Sequence, residues 1–217
     1  MTVLNEQASK TQQALFGMGC FWGPDSFFGS LKGVIETAVG FAGGTTDQPV
    51  YRNIGDHTES ILLTFDPAVI SYEELVRLFW QQHDAMKDRF YKERHYNSIL
   101  IYFNNEQKEI AEKIKAEQEA AQEKKIQTEF QAYSIFYAAE NYHQKYFLRR
   151  FKTATNQLKQ LFSDDEDAFI HSTIAARLNG FVREKTTLQA IKDEIPDWGL
   201  EHEKMILLDQ TLQTIRW

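Results

Sequence analysis

Apolar and polar positions along the chain follow two different periods, and these predict strands and helices in alternation. Nearly continuous apolar runs that end at glycine or at Asp66-Pro67 predict buried strands, whereas apolar residues three and four positions apart predict helices. The predicted strands cover residues 14–18, 34–39, 59–66 and 98–103, with a shorter β-like stretch at 132–136. The predicted helices cover residues 21–31, 72–82, 105–124, 138–150, 168–178, 187–194 and 201–215. This order predicts a mixed α/β sheet with helices packed on it.

A helix start and a change in composition help to divide the chain. Ser71 followed by Glu74 has the pattern of a capping box at the start of a helix. Around Ser163–Asp167 the composition becomes acidic, as in a linker. We therefore expect an α/β domain over residues 1–152 and a helical C-terminal extension over residues 153–217.

Composition and charge restrict the class of protein. The 217 residues are 42% hydrophobic and carry a net charge of −7, which argues against non-specific binding to nucleic acid. No apolar run approaches the roughly 20 residues needed to span a bilayer. The polar start, Met1–Thr11, does not resemble a secretory signal. The single cysteine, Cys20, excludes an internal disulfide, as is usual in a reducing compartment. We expect a cytoplasmic protein that binds neither nucleic acid nor membrane.

Cys20 lies where a predicted strand meets a predicted helix. A single cysteine is often an inert buried residue. Near a helix N-terminus, however, free backbone N–H groups and the helix dipole stabilise a thiolate, so we expect a lowered pKa for Cys20. Phe21 and Trp22 place an apolar aromatic wall beside this nucleophile. Such a wall can hold a methyl-bearing sulfur compound.

Short motifs in a fixed order extend this picture. Gly19-Cys20-Phe21-Trp22-Gly23, placed after an apolar strand, resembles the active-site motif of the A-type peptide methionine sulfoxide reductases. The resemblance covers about residues 12–150 and implies a ferredoxin-like mixed β-sheet flanked by helices. The other matching motifs are Gly40-Phe41-Ala42-Gly43-Gly44, His57-Thr58-Glu59-Ser60, Asp66-Pro67, Ser71-Tyr72, His83-Asp84, Tyr96 with Ser98, and Ala139-Glu140-Asn141-Tyr142-His143-Gln144-Lys145-Tyr146.

The resemblance implies a residue for each step of a reduction. Cys20 attacks the sulfur of methionine sulfoxide, and protonated Glu59 gives its proton to the sulfoxide oxygen. Burial is expected to raise the pKa of Glu59 so that the proton is available. Tyr96 matches a tyrosine that donates a hydrogen bond to the same oxygen. Methionine leaves, and Cys20 becomes a sulfenic acid. The implied substrate-binding residues are Phe21, Trp22, Phe41 and His143.

Three departures from the family pattern affect the residues that hold the substrate. Phe41 replaces a tyrosine, so one hydroxyl donor is expected to be missing. The stretch Ala85–His95 is shorter than in the family and lacks the aspartate that holds the methionine amide. Asp88 and Glu93 are nearby carboxylates that do not align with it. The usual Gln-Tyr-Arg-Ser is replaced by His95-Tyr96-Asn97-Ser98.

A fourth departure concerns the reductant. No resolving cysteine follows Cys20, so an external thiol is expected to reduce its sulfenic acid. Candidates are thioredoxin, glutaredoxin, glutathione or, in vitro, dithiothreitol. No cofactor is expected. A metal is not expected either, because the spacing of His83, Asp84 and His95 fits no zinc signature.

Other functions stay open at this point. The altered residues favour a reductase of the same fold that acts on a different sulfoxide or another S-oxidised metabolite. A second alternative is a non-catalytic protein that binds methionine or methionine sulfoxide, or a redox sensor, although Cys20 and Glu59 argue against it. A third is a cysteine hydrolase with a histidine base. The candidate bases are His57, His83, His95 and His143.

The C-terminal extension contains one distinctive segment, Ser172–Phe181, which Asn179-Gly180 is expected to end as a helix C-cap. This segment either packs over the site in place of the shortened stretch or forms a helical appendage that stabilises the core. The appendage is the simpler interpretation.

Overall fold

One mixed sheet forms the centre of the protein in the residues that the computed structural model describes, 11–86 and 94–217. Its strands are β1 (Gln12–Met18), β2 (Val34–Ala42), β3 (Thr58–Phe65), β4 (Ser98–Tyr102), β5 (Glu129–Ala132) and β6 (Phe136–Ala138). They lie in the order β5-β4-β1-β3-β2-β6. β4 and β5 run parallel, and the other neighbouring strands run antiparallel.

The first two helices complete a ferredoxin-like core. α1 (Trp22–Gly29) connects β1 to β2, and α2 (Tyr72–Gln81) lies between β3 and β4 in the chain. The four inner strands are ordered β4-β1-β3-β2. A βαββαβ unit of this kind is the ferredoxin-like arrangement. The predicted mixed α/β sheet flanked by helices is therefore confirmed.

β1 is apolar without interruption because both faces of the sheet are covered around it. Phe16 packs with Phe28 on one face and stacks on Phe79, with ring centroids 4.8 Å apart. Leu15 packs with Ile99 on the opposite face. A strand that is buried on both faces loses the alternation of polar and apolar residues, so β1 appears in the sequence as a continuous apolar run.

Side-chain caps begin helix α2 and the long helix that follows β4. The Ser71 hydroxyl accepts the Glu74 backbone N–H, and the Glu74 carboxylate accepts the Ser71 backbone N–H, which completes the capping box of α2. Asn104 accepts the Gln107 backbone N–H at the start of α3 (Asn105–Gln122). The predicted capping box is confirmed, and Asn104 is a second side-chain cap.

β2 continues past its predicted end. Gly40, Phe41 and Ala42, which follow the strand predicted over residues 34–39, pair with β3 on one side and β6 on the other. A Cβ at Gly40 would lie 2.2 Å from the carbonyl oxygen of Tyr137, so glycine is what allows β6 to approach here. The glycine-rich stretch thus begins inside the strand at a close contact with β6, and the predicted end at residue 39 was too early.

The predicted helix over residues 138–150 is also wrong. Residues 141–145 form turns, and the short helix α4 (Tyr146–Arg149) follows them. The Gln144 side chain binds the edge of β2, where its Oε1 accepts the Val39 N–H at 2.9 Å and its Nε2 donates to the Val39 carbonyl at 2.8 Å. Lys145 then takes a left-handed φ of 53°. These tertiary hydrogen bonds override the local helical spacing.

The C-terminal part of the chain forms a second hydrophobic core from helices. They are α5 (Lys152–Gln160), α6 (Glu166–Ile170), α7 (Thr173–Phe181), α8 (Leu188–Glu194) and α9 (His202–Thr214). α8 and α9 agree with the predicted helices, whereas the sequence pattern did not predict α5. No helix in the described part of the chain is long and apolar enough to cross a membrane.

The segment around α7 differs from its prediction in two ways. The single helix predicted over residues 168–178 is divided at Ser172, whose hydroxyl accepts the Ala175 backbone N–H and starts α7. Asn179-Gly180 lies inside α7 and is not a C-cap. Across the predicted boundary at residue 152, Arg177 of α7 donates to the Gly29 carbonyl at 2.7 Å. The division into two domains stays a prediction.

Candidate active site

Cys20 occupies the bend between β1 and α1, where it is exposed. Gly19 before it has a φ of 104°, a conformation that favours glycine, and allows the chain to turn sharply. Although solvent reaches Cys20, partial burial raises the pKa of its thiol. A hydrogen bond from the Trp22 backbone N–H lowers this pKa less, and the charge of Glu59 raises it further. The predicted lowering was wrong because burial outweighs the single amide at the start of α1.

Glu59 is on β3 directly opposite Phe41 of β2, and it is only 1% exposed. Its Oε2 accepts the backbone N–H of Phe21, the residue after Cys20, at 3.0 Å. Burial raises the pKa of Glu59 from 4.5 to about 7, against the opposing effect of that hydrogen bond. The direction agrees with the prediction from sequence. The structure thus brings an acid that is partly protonated at neutral pH beside the cysteine.

Phe21 and Trp22, the two residues after Cys20, belong to a group of packed rings. We call the group formed by Phe21, Trp22, Tyr51, His143 and Tyr146 the aromatic slot. Trp22 stacks on Tyr146 with centroids 3.7 Å apart and ring planes 5° apart. The His143 ring lies 5.4 Å from Phe21 and 4.3 Å from Tyr51. Phe21 and Trp22, which directly follow Cys20, therefore lie next to His143, another of the predicted substrate-binding residues.

His143 is nearly completely buried, and burial lowers its pKa, so the ring is neutral at neutral pH. The Trp22 indole N–H donates to His143 Nδ1 at 3.3 Å. Because the indole nitrogen can only donate, Nδ1 acts as the acceptor and the histidine hydrogen is on Nε2. This bond joins the α1 side of the slot to the segment before α4.

Phe41 packs against one ring of the aromatic slot. It is completely buried, and its ring packs 6.0 Å from that of Phe21. Phe41 therefore lies behind Phe21 and contributes to the dry surroundings of Glu59, its partner across the strands. That Phe41 contacts substrate stays a prediction.

Tyr51 is the site residue that the sequence analysis missed. After burial, the charges of Glu59 and Cys20 are the next largest causes that raise the pKa of Tyr51, so its hydroxyl lies within electrostatic reach of both. The residue is 36% exposed. It follows Pro49-Val50 in the connection between β2 and β3, where no hydrophobic period singles it out. The nearby proline and the glycines of Gly43-Gly44 were the available signals for an ordered loop.

The loop that carries Tyr51 is held by polar side chains at its base. Asp56 accepts hydrogen bonds from the backbone and hydroxyl groups of Thr45 and Thr46, which hold the pKa of the Asp56 carboxyl well below its usual range. His57 accepts the Gly44 N–H through Nδ1, and its Nε2 lies 2.8 Å from the Thr46 carbonyl. Both nitrogens of His57 are thus engaged in the loop, which argues against its use as a base for Cys20.

Tyr96 ends a 3-10 turn, Arg94–Tyr96, beside the strand that carries Glu59. The Thr58 hydroxyl donates to the Arg94 carbonyl at 3.1 Å and joins this turn to β3 one residue before Glu59. Arg94 also donates to the carbonyl oxygens of Gly43 and Asp56, so it links the Tyr96 turn to the Tyr51 loop. Asp88 and Glu93, in the shortened stretch, lie outside the described residues.

A family comparison decides between the functions left open by the sequence. The model of the family described as peptide methionine sulfoxide reductase matches residues 12–176. The chain belongs to this family. The activity is therefore thiol-dependent reduction of methionine sulfoxide, and the alternatives of another sulfoxide or a non-catalytic sensor are not favoured.

Individual members of the peptide methionine sulfoxide reductase family are similar over most of their length. The chain is 40% identical to a peptide methionine sulfoxide reductase of Drosophila melanogaster over 86% of this chain and 74% of that protein. It is 37% identical to the enzyme of Methanococcus maripaludis strain C5, over 68% of this chain and 99% of that protein. The structure of methionine sulfoxide reductase A of Corynebacterium diphtheriae superposes with a TM-score of 0.56 and 29% identity, over 64% and 74% of the two chains.

Proposed function

We propose that Cys20 is the nucleophile and Glu59 the proton donor in the reduction of methionine sulfoxide. The observation that carries this proposal is the hydrogen bond from the Phe21 N–H to the Glu59 carboxyl, which holds the acid next to the cysteine. Burial raises the pKa of Glu59 to about 7. A general acid works best when its pKa is near the working pH.

One proton is shared by the two groups over the neutral and mildly alkaline range. Since the pKa of Glu59 is about 7 and that of Cys20 is raised above 9.0, the prevailing form there is a thiol beside a carboxylate. The reactive form has the same number of protons, with the proton on Glu59 and the negative charge on Cys20. Such a coupled pair reaches its working form by moving one proton between its members and exchanges none with solvent.

The chemical step then balances in atoms and electrons. The Cys20 thiolate attacks the sulfoxide sulfur as Glu59 delivers its proton to the sulfoxide oxygen. The bond from that oxygen to the substrate sulfur breaks, the resulting OH group moves to Cys20, and methionine leaves. The substrate sulfur gains two electrons, Cys20 loses two and becomes a sulfenic acid, and Glu59 is left as a carboxylate.

The aromatic slot binds the substrate in this proposal. Its rings accept the methyl group on the sulfoxide sulfur, and Phe21 and Trp22 directly follow Cys20 in the chain. Tyr51, and Tyr96 from the turn beside β3, donate hydrogen bonds to the sulfoxide oxygen as negative charge builds on it. The substrate is methionine S-sulfoxide, either free or within a peptide.

An external thiol completes the cycle. The sequence contains no second cysteine that could attack the sulfenic acid. A first thiol condenses with oxidised Cys20, releasing water and forming a mixed disulfide, and a second thiol frees Cys20 by exchange. Thioredoxin, glutaredoxin with glutathione, and dithiothreitol in vitro are thiols of the required chemistry.

A single turnover without reductant tests the proposed function. The reduced enzyme is mixed with excess methionine S-sulfoxide, the methionine formed is counted, and the protein is analysed by mass spectrometry. We expect one methionine per enzyme and one added oxygen on Cys20, trapped by a dimedone-type reagent. Methionine formation without oxidation of Cys20 would overturn the proposal.

Replacement of Tyr51 by phenylalanine is expected to lower the single-turnover rate by about 10²-fold, since one donor to the developing oxygen charge is lost. The ring is retained, so the half-saturating sulfoxide concentration should change little. Tyr137→Phe is the matched control, because the Tyr137 hydroxyl is also in the sheet region but donates to Asp47. Equal rates for the Tyr51 variant and the wild type would exclude the hydroxyl from the reaction.

A further inference from the structure

α7 lies against α1, the helix that follows Cys20, with very little space between the two backbones. A Cβ at Gly29 of α1 would meet the Ala176 carbonyl oxygen at 2.8 Å. A Cβ at Gly180 of α7 would meet the Ser26 carbonyl oxygen at 2.7 Å and the Ser30 side chain at 2.5 Å. Glycines on both helices therefore permit a close contact, which brings polar side chains of α7 within reach of the first turn of α1.

Asp25, in that first turn, is completely buried and collects hydrogen bonds from three other parts of the chain. Its Oδ1 accepts the Thr37 hydroxyl of β2 at 2.5 Å and lies 3.3 Å from Lys145 Nζ. Its Oδ2 accepts the backbone N–H of Lys145 at 3.0 Å and the side-chain amide of Asn179 of α7, also at 3.0 Å. Lys145 Nζ donates in addition to the Thr37 carbonyl at 2.6 Å.

Asn179 makes a second hydrogen bond, so its side chain links two segments of the chain. Its Oδ1 accepts the backbone N–H of Leu148 in α4 at 3.0 Å, while its Nδ2 donates to Asp25. The residue is completely buried. One side chain of α7 therefore joins the first turn of α1 to the helix that begins at Tyr146, and both of its polar atoms are used in doing so.

The two elements joined by Asn179 are those that carry the stacked pair of the aromatic slot. Trp22 lies one helical turn before Asp25, and Tyr146 directly follows Lys145. The rings of Trp22 and Tyr146 are parallel within 5° at 3.7 Å. The Asp25 network thus connects the two segments that carry these rings, and removing one member of such a network leaves buried groups without partners.

We propose that Asn179 is a positioning residue for sulfoxide reduction, acting through Asp25 and Leu148 to hold Trp22 and Tyr146 in the aromatic slot. The inference rests on the proposed function, in which this slot binds the substrate. Asn179 is beyond residue 176, where the family match ends. In this proposal α7 stabilises the segments that carry the aromatic slot, and it does not pack over Cys20.

Single-turnover kinetics of Asn179→Ala test the proposal, because they separate substrate binding from the chemical step and do not depend on the reductant. We expect the half-saturating concentration of methionine S-sulfoxide to rise about tenfold, because a slot that is less well ordered binds the substrate more weakly. The maximal rate should stay within about threefold of the wild type, since Cys20 and Glu59 are held by β1, β3 and the Phe21 N–H.

Thr173→Val is the matched control for loss of a hydrogen bond from the same helix. The Thr173 hydroxyl donates to the Ile35 carbonyl at 2.8 Å and has no part in the Asp25 network. Thermal unfolding is measured for both variants, and the kinetics are taken well below the lower midpoint. Half-saturation is expected to shift in the Asn179 variant alone. An unchanged value for that variant, or equal shifts in the two variants, would overturn the proposal.

Asn179→Ser serves if the alanine variant does not fold, because its side chain is shorter and has one oxygen in place of the two amide atoms that bond to Leu148 and Asp25. A rise of about threefold in half-saturation supports the proposal, and no rise overturns it. The wild-type reaction in the same experiment distinguishes failure of the proposed function from failure of the positioning role of Asn179. Wild-type enzyme that forms methionine without oxidising Cys20 would overturn the proposed function, whereas normal oxidation with an unaffected Asn179 variant overturns only the positioning role.

Discussion

Cys20→Ser is expected to lose sulfoxide reduction, with the single-turnover rate lowered by about 10⁴-fold or more. Oxygen transfer to cysteine forms a sulfenic acid, whereas the same transfer to serine would require an oxygen–oxygen bond. The serine hydroxyl is also far less ionised than the thiol. No other thiol in the sequence can replace Cys20.

The measurement for this variant is methionine formation from the S-sulfoxide, with and without dithiothreitol, together with urea unfolding. Cys20 is exposed, so the free energy of unfolding should stay within about 0.5 kcal/mol of the wild type. Binding of methionine sulfoxide should persist, because the aromatic slot is intact. Turnover at a rate close to that of the wild type would mean that Cys20 is not the nucleophile.

Glu59→Gln is expected to lower the single-turnover rate by about 10³-fold, because the proton donor to the sulfoxide oxygen is removed. The glutamine oxygen can still accept the Phe21 N–H, so the geometry of the Cys20 bend is retained. Glu36→Gln is a suitable control, since Glu36 is on β2 and pairs with His171. A Glu59 variant as fast as this control would contradict the acid role.

Although Glu59→Gln is expected to lower the rate, it should not lower the free energy of unfolding at alkaline pH. Glu59 has a pKa of about 7 in the folded protein and 4.5 as its ordinary value. Between these values the folded state binds more protons than the unfolded state, so stability falls as pH rises through this window. Glutamine removes that loss, and at alkaline pH the variant should be at least as stable as the wild type. Low activity then cannot be attributed to unfolding.

Much of the fold could be predicted from local pattern. The strands at residues 14–18 and 98–103 were found because strands buried on both faces are continuous apolar runs. The capping box at Ser71 was found because its chemistry is complete within four residues. The helix predicted over residues 138–150 failed because Gln144 bonds to Val39 of β2, a contact more than a hundred positions away in the sequence.

The residues of the candidate site could also be predicted only as far as local motifs indicate them. Cys20 and Glu59 were named from motifs, and the direction of the Glu59 pKa followed from expected burial. The direction for Cys20 was wrong because the balance between burial and one backbone amide depends on packing that no motif records. The burial of Phe41 depends on its strand pairing with Glu59, and Tyr51 was missed because its loop is shaped by Asp56.

The central claim is that Glu59 and Cys20 share one proton, with Glu59 as the acid. The dependence of kcat/KM on pH in the wild type and in Glu59→Gln tests it most directly. For the wild type we expect a maximum between pH about 7 and the pKa of Cys20, with a fall on either side. For the variant we expect a lower curve that rises with ionisation of Cys20 and has no inflection near 7. A wild-type profile without that inflection, or a variant that keeps it, would contradict the account.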